Sequence, residues 1–280
     1  MTETKNNFNK NSVFKKIRSK YIRKIILNNL KQINLLKIFN YNKENQRLMH
    51  IELIDYEIES LKIKIEIILK ENTFGKFINS IDNTQIYFND NEKEIKKIAI
   101  TKKDNVTKIK IIINQEIMSL SRLFLECKCI KKIKFIQFNR KDINDMSCMF
   151  SRCSSLEEID LSHFNTDNSN DMGWMFEGCS SLKKLNLSNF NTYNVTDMHS
   201  MFRDCSALKE LNLLKFNTIN VKYMNSMFEG CSSLKELNLS NFNTNKEIDL
   251  SNMFKGCSSN LSLICSDYFI KKEYEKLFKL

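Results

Sequence analysis

The chain has 280 residues, no proline and only five glycines, with 42% hydrophobic residues and a formal net charge of +11. That composition excludes collagen and Pro- or Gly-rich disorder, and its apolar content supports a sizeable core. Proline and glycine are the usual turn makers. Asparagine, with 36 copies, is the candidate to replace them.

The opening residues, MTETKNNFNKNS, lack the apolar centre of a secretory signal. No uncharged apolar run reaches the ~18 residues of a membrane-spanning helix. An intracellular location is the expectation. Residues 1–11 read as a disordered tail. Residues 1–50 carry 12 Lys and Arg against Glu3 and Glu44, a balance of +10, whereas the remaining 230 residues stand at +1. Such a basic segment suits nucleic acid, an anionic membrane or an acidic partner; a solvated face is the plainer alternative.

Within 12–50, Ile22, Ile25, Ile26, Leu30, Leu35, Leu36 and Phe39 fall at helical spacings. The stretch YIRKIILNNLKQINLLKIFNYNKENQRLM resembles an F-box. The resemblance implies that residues 15–50 dock on a Skp-type adaptor and that the chain is a substrate adaptor of a ubiquitin ligase. Residues 51–105 predict a small mixed α/β segment that caps a repeat region beginning near residue 106. In this segment LKIKIEIIL and TQIYF alternate as strands do, and Gly75 marks a turn between them.

From about residue 106 the chain repeats. Cys127, Cys153, Cys179, Cys205, Cys231 and Cys257 are 26 residues apart, and Phe124, Phe150, Phe176, Phe202, Phe228 and Phe254 keep the same register. Met146, Met172, Met198 and Met224 form another ladder, closed by Leu250, and Phe138, Phe164, Phe190, Phe216 and Phe242 form one more. The pairs Ile159/Leu161, Leu185/Leu187, Leu211/Leu213 and Leu237/Leu239 alternate, which predicts a short strand in each unit. Met172, Met175, Phe176 and Cys179 stand at i, i+3, i+4 and i+7, which predicts a short helix capped by Asn194 or Thr196 in the equivalent place. The phase extends weakly to Ile109 and Ile112. Downstream, Asn260 adds one residue, after which Leu261, Ile264 and Phe269 resume at 27, giving seven rungs from Ile109 to Phe269.

The period lies within the 20–29 residues of leucine-rich repeats, which share the L-x-x-L-x-L core. The expected fold is an α/β repeat over 106–266, with parallel strands on one face and short helices on the other. Residues 267–280, ending YFIKKEYEKLFKL, predict a helical cap over the last apolar rung.

The unit GCSSLKKLNLSNFNTYNVTDMHSMF is similar to the repeat of BspA-like leucine-rich repeat surface proteins. The resemblance covers about 115–266 and implies a right-handed leucine-rich-repeat-like solenoid. It also implies a binding or adhesive role, including that of a surface adhesin, without catalysis or cofactor.

Little here predicts chemistry. The three histidines, His50, His163 and His199, pair with no nucleophile in a recognisable pattern, and no G-x-G-x-x-G or P-loop occurs. The six ladder cysteines read as small buried hydrophobes, although rungs of a stack approach disulfide spacing. Cys127 and Cys129 lack the second pair of ligands that zinc requires, and Cys129, Cys148 and Cys265 are assigned no role. N-x-S/T matches at Asn105, Asn186, Asn194, Asn238 and Asn260 read as parts of the repeat.

The surface that varies between units is the better functional clue. Residues flanking the inward strand positions face outward. They are Glu158, Asp160 and Ser162; Lys184, Asn186 and Ser188; Glu210, Asn212 and Leu214; and Glu236, Asn238 and Ser240. This row is the candidate protein-binding sheet face of a non-enzymatic interaction protein.

Overall fold

A computed structural model describes residues 58–80, 82–114 and 117–278. The chain divides into two units, Met1–Ser60 and Leu61–Leu280. The F-box-like and basic stretch at 12–50 lies outside the described residues; the second unit holds the cap and the repeats.

That unit begins with a sheet built on strict alternation. Strand β1 (Ile63–Leu69) buries every second residue. Short β2 (Gly75–Lys76) is followed by β3 (Thr84–Phe88), β4 (Ala99–Ile100), β5 (Lys108–Ile113), β6 (Ile130–Gln137) and β7 (Glu158–Asp160). The larger sheet runs in the order β3-β5-β1-β6-β7. β1 is antiparallel to both β5 and β6, whereas β6 and β7 are parallel. β6 is therefore the seam between an antiparallel cap and the repeats. Two expectations change here. Gly75 sits inside β2, paired with Ile100, at φ 125, a conformation glycine adopts without a Cβ penalty. Ile109 and Ile112 belong to β5, not to a first repeat, because β1 and β3 offer cross-strand partners to their period-2 pattern.

The repeats stack in register. After β7 come β8 (Lys184–Asn186), β9 (Glu210–Asn212), β10 (Glu236–Asn238) and β11 (Ser262–Ile264). Each joined pair is parallel: β6 with β7, β8 with β9, β10 with β11. The last register puts Leu263, not Ile264, beside Leu237. Ile264 consequently faces out at 45% exposure, although Leu261 fills the core as its 27-residue spacing predicts.

The other side of each coil is not helical. From Met172 to Cys179 the chain makes successive four-residue turns, with Met175 N–H bonding the Met172 carbonyl, Glu177 that of Trp174 and Cys179 that of Phe176. The intervening amides leave the coil. Met172, Trp174, Phe176 and Gly178 donate to Asp197, His199, Met201 and Arg203 of the next coil. A helix would bond Phe176 and Gly178 to carbonyls four residues back within the segment; here the neighbouring coil takes all four of these amides. The turns also need left-handed residues, which an α-helix excludes. Gly178, Gly230 and Gly256 lie at φ 67 to 73, and Arg152 and Asp204 hold the equivalent place at φ 57 and 56. A second such place, four residues earlier, holds Arg122, Cys148, Trp174, Ser200, Ser226 and Asn252 at φ 53 to 59. Asn194 and Thr196 cap no helix. They reach back to the carbonyls of Asp167 and Asn170 in the preceding coil.

Between these faces the ladders pack as stacks. Phe124, Phe150, Phe176, Phe202, Phe228 and Phe254 lie ring on ring at 5.4 to 6.0 Å, with planes within 13°. Each such contact adds about 0.5–1.5 kcal/mol beyond area burial. Helix α1 (Tyr268–Phe278) closes the stack, with Ile270 buried and Tyr274 edge-on to Phe254 at 5.6 Å. No helix among the described residues is long and apolar enough to cross a membrane.

Candidate interaction surface

The strands hold eight of the twelve residues expected on the sheet face; Ser162, Ser188, Leu214 and Ser240 lie in the turn that follows each strand. The in-register strands set Lys184 beside Glu210 and Asn186 beside Asn212. Of the twelve, Asp160 and Asn238 are partly buried and the other ten are exposed. Several of their polar atoms are already engaged in the fold. The side chains of Asp160, Asn186, Asn212 and Asn238 accept from the N–H two residues on, at 3.0 to 3.1 Å, and so close the turn after each strand. The Ser162 hydrogen bonds hold the Asp160 carboxyl below its usual range. Lys132–Glu158 and Lys184–Glu210 pair between coils at 2.8 and 2.9 Å. Exposed pairs of this kind contribute about 0–1 kcal/mol. Leu214, 44% exposed, is the one apolar member of the row.

The cysteine ladder is a hydrogen-bonding device. Cys153, Cys179, Cys205, Cys231 and Cys257 point their thiols at the carbonyls of Phe124, Phe150, Phe176, Phe202 and Phe228, at 3.0 to 3.2 Å. All nine cysteines are free thiols. Burial pushes Cys153, Cys205 and Cys257 up to about 12, and Cys127, Cys179 and Cys231 also lie far above the ordinary range. The thiolate is the nucleophile and the metal ligand, so these sulfurs are inert near neutrality. The unassigned cysteines also find places. Cys129 bonds the Lys76 carbonyl at 3.1 Å, Cys148 occupies a left-handed turn position, and Cys265 lies half-buried before α1.

Threonine makes a further ladder that the sequence reading missed. The Thr166, Thr192 and Thr218 hydroxyls each accept from the N–H and donate to the carbonyl of one asparagine in the next coil: Asn191, Asn217 and Asn243, at 2.7 to 3.0 Å. The 26-residue spacing of these threonines was the available signal. Charged side chains close both ends. Thr244 bonds the Asp267 carboxylate twice, at 2.7 Å. Arg140, in the threonine slot of the first coil, forks onto Asp142 at 2.6 and 2.7 Å, which lowers the Asp142 carboxyl.

A second exposed group was also missed. Trp174, Tyr193, Ile219 and Tyr223 are 39 to 61% exposed on the corner after the strand and on the turn face. Each departs from its ladder: Asp167 and Asn245 stand in the Tyr193 and Ile219 slot, and Asp145, Asp171, Asp197 and Asp249 in that of Tyr223. His199 bonds Asp197 and packs against Trp174, whereas exposed His163 touches Ser162. Among the described residues no cluster of three His, Cys, Asp or Glu is placed to hold a metal ion.

A solved leucine-rich repeat protein from Bacteroides ovatus ATCC 8483 is 17% identical, with a TM-score of 0.30, over 65% of this chain and 54% of that one. The chain thus spans about half the length of that protein. No curated protein matches. The family described as "Mycoplasma protein of unknown function, DUF285" matches residues 118–212 and 184–264. These matches cover the coils from the first turn ladder to β11 and more than half of the 280 residues, so the chain belongs to this DUF285 family.

Proposed function

We propose that the chain is a non-enzymatic protein–protein interaction protein whose coils form a right-handed, leucine-rich-repeat-like solenoid. The observation that carries this reading is the contrast between interior and exterior. Phenylalanine, methionine, cysteine and threonine rungs repeat almost unchanged inside, while some exposed slots, those of Trp174, Tyr193, Leu214, Ile219 and Tyr223, change from coil to coil and place large apolar side chains in water. A repeated interior with a varied exterior is what an extended binding surface requires. The suppressed thiols favour binding over catalysis.

Proximity labelling in the expressing cells, followed by binding of each recurrent neighbour to the purified chain, tests this. The expected result is one neighbour that binds saturably to the folded chain and not to the heat-unfolded chain. Neighbours that never bind the purified protein would sink the proposal.

A further inference from the structure

One junction in the stack departs from its repeat in two neighbouring residues. The slot of Trp174 holds Arg122, Cys148, Ser200, Ser226 and Asn252 in the other coils. Trp174 occupies it at φ 54, a left-handed conformation that a bulky side chain adopts at a cost, and is still 39% exposed. One coil further on stands His199, where Ser121, Ser147, Gly173, Asn225 and Ser251 stand in the other coils. The centroids of the His199 and Trp174 rings are 3.5 Å apart, with their planes at 80°. Gly173 makes that possible, since a Cβ there would meet the His199 ring at 2.8 Å. Neither replacement is needed for stacking, because serine serves in both slots in other coils. The backbone of this slot is left-handed in every coil, so what sets Trp174 apart is its large ring kept on the surface.

The surroundings are acidic. Asp145, Asp171, Asp197, Tyr223 and Asp249 are joined coil to coil by parallel bridges. Asp171 and Asp197 accept from Gly173 and His199 N–H at 2.8 and 2.9 Å and have no lysine or arginine partner among the described residues. Burial lifts the Asp171 carboxyl above its ordinary range, and the neighbouring Asp197 and Asp145 charges push the same way. Tyr223, 52% exposed, interrupts the acidic row beside Asp197. Exposed tryptophan and tyrosine side chains next to carboxylates whose one basic neighbour is His199 match a cation carried on an apolar stem.

We propose that Trp174, Tyr223, Asp171 and Asp197 dock an extended, lysine- or arginine-bearing peptide segment of a partner protein. This rests on the protein-interaction reading and gives its partner a chemistry. Cationic heads meet the carboxylates and the aromatic faces, and the side-chain stems cover Trp174.

Trp174 is the single tryptophan of the chain and reports directly. The full chain is titrated with a peptide of alternating lysine and leucine, and with its glutamate counterpart, following tryptophan emission. The expected result is a saturable emission change with the lysine peptide, weakened by added salt. By anisotropy of labelled lysine peptide, Trp174→Ser and Asp171→Asn each weaken binding at least about ten-fold, the loss of one hot-spot contact. Both variants keep the coil intact, since serine occupies the Trp174 slot elsewhere and asparagine retains the oxygen that accepts from Gly173.

Lysine-peptide binding unchanged in both variants would overturn the proposal. So would an emission change with the glutamate peptide alone, or one produced by concentrating the chain without peptide, which would place a second copy on this face. If the lysine peptide fails while a cellular neighbour still binds the folded chain, this assignment falls and the interaction reading stands.

Discussion

The cap and the coils draw on similar apolar residues but satisfy their backbones differently. In the cap, β1, β5 and β6 run for seven, six and eight residues and bond along their length to neighbouring strands. In the coils the strands last three residues, and much of the binding between units comes from turn amides, cysteine thiols and threonine hydroxyls. The difference teaches that a stack without proline and with few glycines holds its turns by side-chain hydrogen bonds repeated once per coil. Side-chain identity at a few slots thus matters more in the coils than in the cap, where alternation alone suffices.

The largest test of that contrast is the central rung. Phe202 is fully buried and stacked between Phe176 and Phe228 at 5.9 and 5.8 Å. Phe202→Ala is expected to cost about 3–5 kcal/mol in denaturant unfolding; a loss below about 0.5 kcal/mol would show that the rung does not carry the core. Next comes Thr192→Val, similar in shape but unable to bond Asn217. Leaving that amide and carbonyl unpaired is expected to cost about 2 kcal/mol. A shift no larger than that of an exposed threonine would remove the hydroxyl ladder from the comparison.

A smaller effect separates the thiol ladder from the cap by pH. The Cys205 thiol ionises in the unfolded chain near the ordinary value of 9.0 but in the folded chain only at about 12. The unfolded state therefore loses its proton first, and stability falls as pH rises between those values. Cys205→Ala is expected to reduce that slope by about 1.4 kcal/mol per pH unit, as urea midpoints at about pH 9.5–11 will show. An unchanged slope would mean that the thiol ionises freely in the fold. The smallest change is a gain: Ser226→Gly at φ 56 should add about 0.5 kcal/mol, visible as a higher melting temperature. A lower melting temperature would show that the left-handed turn costs serine nothing.

Much of the interior was legible from the 26-residue ladders, because burial of Phe, Met, Leu and Cys follows from their recurrence alone. Left-handed turns at Gly178, Gly230 and Gly256 were legible too, since glycine marks the φ that other residues avoid. The candidate surface was legible only on the strands, where alternation separates inside from outside. Trp174 and Tyr223 were not, because their exposure depends on which face of the turn segment meets the core.

The sequence by itself determined the period, the rungs and the strand positions. Only the tertiary structure decided that Met172–Cys179 turns instead of coiling into a helix, that Ile109 joins β5, and that Ile264 faces out. The spacing i, i+3, i+4, i+7 is shared by a helix and by a run of four-residue turns. What separates them is the partner of each N–H, and for Trp174 that partner is the carbonyl of His199, one full coil away.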